Sequence, residues 1–221
     1  RAKFDELCAA HLANDHSYAV IINACVRCDE LAPASHFHEA MIAAGCASIQ
    51  GATAMIKGFV NAGEFAKARR IFRDMPTMSP SVEPNVRTCN TYLRGCLIHG
   101  EIERAMELYD AHMSDRDRNG DNVKNTDAIW HVSPDASTVE YLVTLLCQGL
   151  RPETAFRVMR EAGLPTDISR LSEVDPSLTI ALSRAMAMLG RVSECRMLAE
   201  QALLCLSGSS TWRQEGDHIQ E

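Results

Sequence analysis

TAMIKGFVNAGEFAKARRIFRDM, residues 53–75, lies without a gap over NTYLRGCLIHGEIERAMELYDAH, residues 90–112. Gly58 falls on Gly95, Gly63 on Gly100, Ala68 on Ala105 and Phe72 on Tyr109, an offset of 37 residues. Self-similarity at such a period marks a repeat architecture. The same template continues on both sides. In residues 18–41, Ala24 takes the first glycine place, Ala34 the buried alanine and Met41 the terminal methionine. In residues 139–161, Ala155 is the buried alanine, and in residues 179–202 Gly190 marks the turn and Cys195 replaces the alanine. At the start, AKFDEL (residues 2–7) matches RIFRDM (residues 70–75), as the second helix of an earlier unit.

Each unit reads as helix A, a short turn and helix B. Gly63, Gly100, Gly149 and Gly190 mark the turns, where a positive φ at a helix end favours glycine. Phe65, Ala68, Ile71 and Phe72 form one apolar stripe at helical spacing, and Ile102, Ala105, Met106 and Tyr109 form another. The small residue at 34, 68, 105 and 155 lets helix B sit close to helix A. One hairpin cannot bury its stripe alone, so the hairpins must stack. The expected order is 1–14, second helix of a preceding repeat; 15–48, repeat 1; 49–85, repeat 2; 86–135, repeat 3 with an insertion at 114–133; 136–167, repeat 4; 168–206, a degenerate repeat 5; and 207–221, a polar tail.

The composition agrees with helix. Apolar residues make up 46% of the chain and aromatics only 5%, with Ala, Leu and Met plentiful. No uninterrupted apolar run has the length of a membrane helix, so no membrane span is expected. Residues 1–8 carry no apolar signal segment, and an initial Arg in place of Met suggests processing or a fragment of a longer chain. Nine cysteines, an odd number in a chain this long, argue against a secreted disulfide framework. The net charge is −7, so any contact with nucleic acid must be local or shared with a basic partner.

Tetratricopeptide repeats carry a Trp and a Tyr at set places in helix A, which no unit here does. Residues 53–75 and 90–113 instead resemble the pentatricopeptide repeat, as do the unit endings Pro84 with Asn85 and Pro134 with Asp135. The resemblance covers nearly all of residues 1–206 and is strongest in the second and third units. It implies an all-α, right-handed superhelical solenoid of helix-turn-helix repeats with a concave face. It also implies single-stranded RNA as partner, read one base per repeat, and a mitochondrial or plastid location. In that family the reading pair is the fifth residue of a unit with its last. Here those residues are Ala19 with Ser48, Thr53 with Asn85 and Asn90 with Asp135. By the family's pattern Thr53 with Asn85 resembles an adenine reader and Asn90 with Asp135 a uracil reader. Glu140 and Ile180, at the fifth position of the last two units, depart from it.

One turn after the fifth position the same helix face carries Asn23, Lys57, Arg94, Thr144 and Arg184. Lys57, Arg94 and Arg184 form a basic ladder suited to phosphates, or an ordinary solvated face. Lys67, Arg69, Arg70 and Arg73 make a second basic cluster, on helix B, expected to be a solubilising surface. Within the insertion Asp115, Asp117, Asn119, Gly120 and Asp121 have the spacing of half a calcium loop. Asn122 and Thr126 break the pattern, and a surface loop is expected. Ile129 and Trp130 close the insertion as an anchor, either for a partner or back onto the repeats. Cys25 and Cys28 form a CxxC with His36 and His38 downstream, but Cys25 shares the helix register of Cys96, and no metal or cofactor is expected. No phosphate loop, GxSxG or HExxH motif is present, so the chain is expected to be no enzyme. The expected function is an organellar RNA-binding scaffold in mitochondrial RNA metabolism or translation. The alternatives are an architectural subunit of a large ribonucleoprotein such as a mitochondrial ribosome, contacting ribosomal RNA and protein subunits, and a protein-only binding solenoid.

Overall fold

The computed structural model of the chain describes residues 13–114 and 130–208. Among the described residues the elements are ten α-helices and short 3₁₀ turns, without strands. The helices are α1 (Asp15–Arg27), α2 (Leu31–Ala43), α3 (Ile49–Asn61), α4 (Phe65–Asp74), α5 (Val86–His99), α6 (Ile102–His112), α7 (Ala136–Gln148), α8 (Pro152–Glu161), α9 (Pro176–Met188) and α10 (Val192–Gly208). The fold is all-α, built of helix-turn-helix repeats. The segment 1–12 of the expected preceding helix, the calcium-like stretch with Ile129, and the tail from 209 on lie outside the described residues.

Every helix A starts the same way. Asn14, Ser48, Asn85, Asp135 and Asp175 each accept a hydrogen bond from a backbone N–H two or three residues on, the donors being those of Ser17, Gly51, Thr88, Thr138 and Ser177. Such caps satisfy donors that the helix itself leaves unpaired. Each helix A also ends alike, with a positive φ at Asp29, Gly63, Gly100, Leu150 and Gly190. This corrects the turn assignment in the fourth repeat. Gly149 has φ −84° and the left-handed residue is Leu150, one position later. Gly149 is glycine for another reason: a Cβ there would lie 2.0 Å from Ile102 Cδ1.

The chain divides into two compact units. The first comprises α1 to α5 with residues 111–113 and the described part of 125–133. Within it α1 packs on α2 and α3, and α3 on α4 and α5. Ala34 and Ala68 are fully buried where helix B meets helix A. Consecutive repeats approach through glycine. A Cβ on Gly58 would meet Leu31 Cδ2 at 2.8 Å and Val26 Cγ2 at 2.9 Å, and one on Gly95 would meet Val60 Cγ1 at 1.6 Å. Tyr92 on α5 meets Phe65 and Phe72 of α4 in T-shaped contacts, with centroids 5.8 and 5.6 Å apart. Trp130 folds back onto the repeats, stacked on His112 at 3.8 Å and on Phe72 at 5.8 Å.

The second unit comprises α6 from Ile102 to Asp110, Ser114 and α7 to α10. Ala105 and Ala155 are fully buried, and α7 packs on α8 and α9. Tyr109 donates to Glu161 at 3.0 Å, Ser114 donates to the same carboxylate oxygen at 3.1 Å, and Arg157 joins Asp110 at 2.9 Å. Burial first, and the Glu161 charge second, push the Tyr109 hydroxyl well above its ordinary range. A 3₁₀ segment, Ile168–Glu173, packs on α10 and buries Leu171. Val192 holds the place of Phe65 and Ile102 in earlier repeats. Those two are buried, whereas Val192 is 73% exposed.

The glycine seats and one buried histidine yield two expectations. Gly95→Ala should destabilise the chain by about 1–3 kcal/mol through overpacking against Val60. The double variant with Val60→Ala should recover much of that loss in denaturant unfolding. His38 is buried, its Nε2 has no partner among the described residues, and desolvation lowers its pKa below 6.5. As pH falls through 6.5 the unfolded chain therefore takes up the proton first, and stability declines. His112, lowered mainly by desolvation, acts in the same direction. His38→Leu should flatten the loss of stability measured between pH 7.5 and 5.5.

Candidate nucleic-acid interface

Helix A of the first three repeats presents one face to a common groove of about 840 Å³ within the first unit. Its wall is built at helical spacing. From α1 come His16, Ala19, Val20 and Asn23, and from α3 come Gln50, Thr53, Lys57 and Asn61. From α5 and its cap come Asn85, Arg87, Thr91, Arg94 and Ile98. Apart from the cap Asn85, these are the second, fifth or sixth and ninth places of each helix, with the thirteenth added in α3 and α5, a single stripe one turn apart.

The electrostatics of the wall differ from those of the chain. Lys57, Arg87 and Arg94 are exposed and in no ion pair among the described residues. Among the described residues no aspartate or glutamate lines the groove, in a chain of net charge −7. Helix B is the contrast. Lys67 pairs with Glu64, and Arg70 and Arg73 both reach Asp74, at 3.4 and 3.3 Å. In the second unit Arg151 pairs with Glu103 and Arg191 with Glu153 and Glu194. These cations are matched, whereas Lys57, Arg87 and Arg94 have no acid partner among the described residues.

The residues expected from the sequence fall into three groups. Ala19, Thr53, Asn85, Lys57 and Arg94 come together in the groove. Ser48 does not; it is 5% exposed, and its hydroxyl is spent on the Gly51 N–H and on Met41 Sδ. Asn90 sits half-buried on α5 and is not part of the groove wall. Asp135 and Arg184 belong to the second unit. Asp135 is exposed and closes a capping box with Thr138, accepting at 2.8 Å from its N–H, and Arg184 is exposed on α9. The sequence reading missed His16, Gln50, Asn61 and Arg87. His16, Gln50 and Arg87 are offset by 34 and 37 residues, the repeat interval, so extending the stripe one turn toward each helix start finds them.

Two polar side chains of the wall, Thr53 and Asn85, are coupled through Thr88 behind them. Thr53 Oγ1 lies 2.8 Å from Thr88 Oγ1, and Thr88 donates to Asn85 Oδ1 at 3.1 Å. Among the described residues no cluster of three or more His, Cys, Asp or Glu is arranged to hold a metal ion. Cys25 is buried in α1, while Cys28 is exposed at its end. No described helix is long and apolar enough to cross a membrane.

Stacked hairpins that turn a common face of helix A into a groove define a helical-repeat protein. Residues 52–79 and 87–111 match the family model of the PPR repeat, so those two segments read as pentatricopeptide repeats. Among solved structures it is similar to nuclear proteinaceous RNase P 2 (PRORP2) from A. thaliana, at 17% identity and a TM-score of 0.57, over 85% of this chain and 38% of that one. It is similar to PPR10 from maize at 20% identity and a TM-score of 0.58, over 92% of this chain and 26% of that one. It also matches PPR10 in complex with an 18-nt psaJ RNA element, at 16% identity and a TM-score of 0.55, over 90% of this chain and 31% of that one. The chain thus spans well under half the length of these proteins, and at such identities the likeness is one of fold. No curated protein sequence matches it.

The cap geometry separates stability from binding at Ser48. Ser48→Ala should cost about 1 kcal/mol as a lost helix cap. In titrations it should leave the affinity of any groove ligand unchanged, because the hydroxyl does not reach the groove.

Proposed function

We propose that the chain is an RNA-binding scaffold whose helix A face holds a short single strand, acting in organellar RNA metabolism. The observation that carries this is the groove's charge: among the described residues it holds three unpaired cations and no carboxylate, in an acidic protein. Phosphates supply the missing anions and release counterions on binding. Between the cations stand small polar side chains, Thr53, Asn85, Thr91, Gln50 and Asn61, of a size to meet base edges. PPR10, of similar fold, is described in complex with an 18-nt RNA element, which supports the same use of the groove here. Thr53 with Asn85 is the family's adenine-reading combination, and adenine is the base expected there. The chain has no catalytic role in this reading, and a mitochondrial or plastid location follows from the family alone.

A second reading, an architectural subunit of a large ribonucleoprotein, draws on the second unit. There the fifth positions are an exposed Glu140 and an Ile180 that is 42% exposed, unsuited to phosphates and bases and better suited to a protein surface.

Binding of short single-stranded RNA, followed by fluorescence anisotropy across a salt series, tests the proposal. Affinity should fall as salt rises. Replacing Lys57, Arg87 and Arg94 with Gln should flatten the slope of log affinity against log salt by about two units, roughly 0.7 per phosphate contact. A wild-type protein that binds no strand at low salt, or a triple variant with an unchanged slope, would sink it.

A further inference from the structure

The groove atoms of Thr53 and Asn85 are joined through a third residue behind them. Thr88, on the first turn of α5, is fully buried. Its Oγ1 lies 2.8 Å from Thr53 Oγ1 and 3.1 Å from Asn85 Oδ1, and its backbone N–H donates to the same Asn85 oxygen at 3.0 Å.

Counting hydrogens fixes the direction of every bond. A backbone N–H only donates, so the Asn85 atom facing it is the carbonyl oxygen. A hydroxyl carries one hydrogen. Thr88 commits its own to Asn85 Oδ1, so in the bond between the two threonines Thr53 donates. Thr53 thus meets the groove with its hydrogen turned inward and its oxygen left as an acceptor. The Asn85 oxygen is occupied twice, and its Nδ2 hydrogens remain as the donor.

We infer that Thr88 is a positioning residue that sets the hydrogen-bond polarity of the pair Thr53 and Asn85, so that this place in the groove offers a base one acceptor beside one donor. Without the relay, the Thr53 hydroxyl is free to turn its hydrogen outward and the Asn85 amide is held by the backbone bond alone. The pair then accommodates several base edges by rotation, and discrimination falls. Two other caps carry the cap half of this arrangement. Ser17 donates to Asn14 Oδ1 at 2.9 Å, and Thr138 donates to Asp135 Oδ1 at 2.9 Å. Where Gly51 follows Ser48 no hydroxyl is present, and that cap is the one buried away from the groove.

This inference rests on the RNA reading above, and its test separates the two. A pool of short RNA strands is selected on the purified chain and sequenced. The position read by this pair is the one whose base preference vanishes in Thr53→Val. In Thr88→Val, preference at that position should drop by about threefold to tenfold, the weight of one buried hydrogen bond, with preferences elsewhere and the salt slope unchanged. Thr88→Ser should restore it, which a role in packing alone would not predict. Should Thr88→Val fail to fold, Asn85→Asp decides. Its Oδ1 stays held by Thr88 while a second acceptor replaces the donor, so the ranking of the four bases must change. Full preference in Thr88→Val, or an unchanged ranking in Asn85→Asp, overturns the inference while leaving RNA binding intact. A wild-type chain that retains no strand overturns both.

Discussion

An α-helix opens with backbone N–H groups that it cannot satisfy itself, and the repeats of this chain are organised around that constraint. At each junction a short polar side chain, from Asn14 through Ser48, Asn85 and Asp135 to Asp175, takes up one of those donors. The same residue fixes where the chain turns from one hairpin into the next. In the first unit it also decides which atoms face the groove, because an oxygen bound to the cap is no longer offered outward. Local helix chemistry and the recognition surface are thus two sides of one set of hydrogen bonds.

The second constraint is distance. Helix A of one repeat comes close to its predecessor where a side chain is missing, at Gly58 and Gly95 in the first unit. The close approach brings α1, α3 and α5 into one wall, with corresponding positions side by side. The groove's cations stand in a row because Lys57 and Arg94 hold the same place in successive helices. Several basic side chains elsewhere lie within reach of acids on their own or a neighbouring helix, as with Arg151 and Glu103.

Much of this was legible in the sequence, for a physical reason. A repeat superposes on itself, so the template read from residues 53–75 locates helices, turns and buried alanines elsewhere without tertiary information. The groove face was half legible: the fifth and ninth places of helix A gave Thr53, Lys57 and Arg94, while Arg87 and Gln50 lay one turn away on the same stripe. What the pattern could not give was which polar atoms were already spent. Ser48 and Asn85 occupy equivalent places, yet one is buried on its cap and the other faces the groove. Gly149 shows the limit in the backbone. A glycine near a turn suggests left-handed φ, but this one makes room for Ile102, and Leu150 bears the unusual dihedral.

Trp130 has a topological effect as well as a packing one. Its ring is clamped between Phe72 and His112, and Val132 N–H donates to His112 carbonyl oxygen at 2.9 Å, so the chain re-enters the first unit beside the point where α6 ends. The residues that bracket the intervening segment are therefore held together by contacts of their own. Closing a loop whose ends are already fixed costs little more as it lengthens, about 0.6 kcal/mol per doubling. By that loop-closure argument, lengthening or shortening the chain between these two ends should cost the first unit little stability.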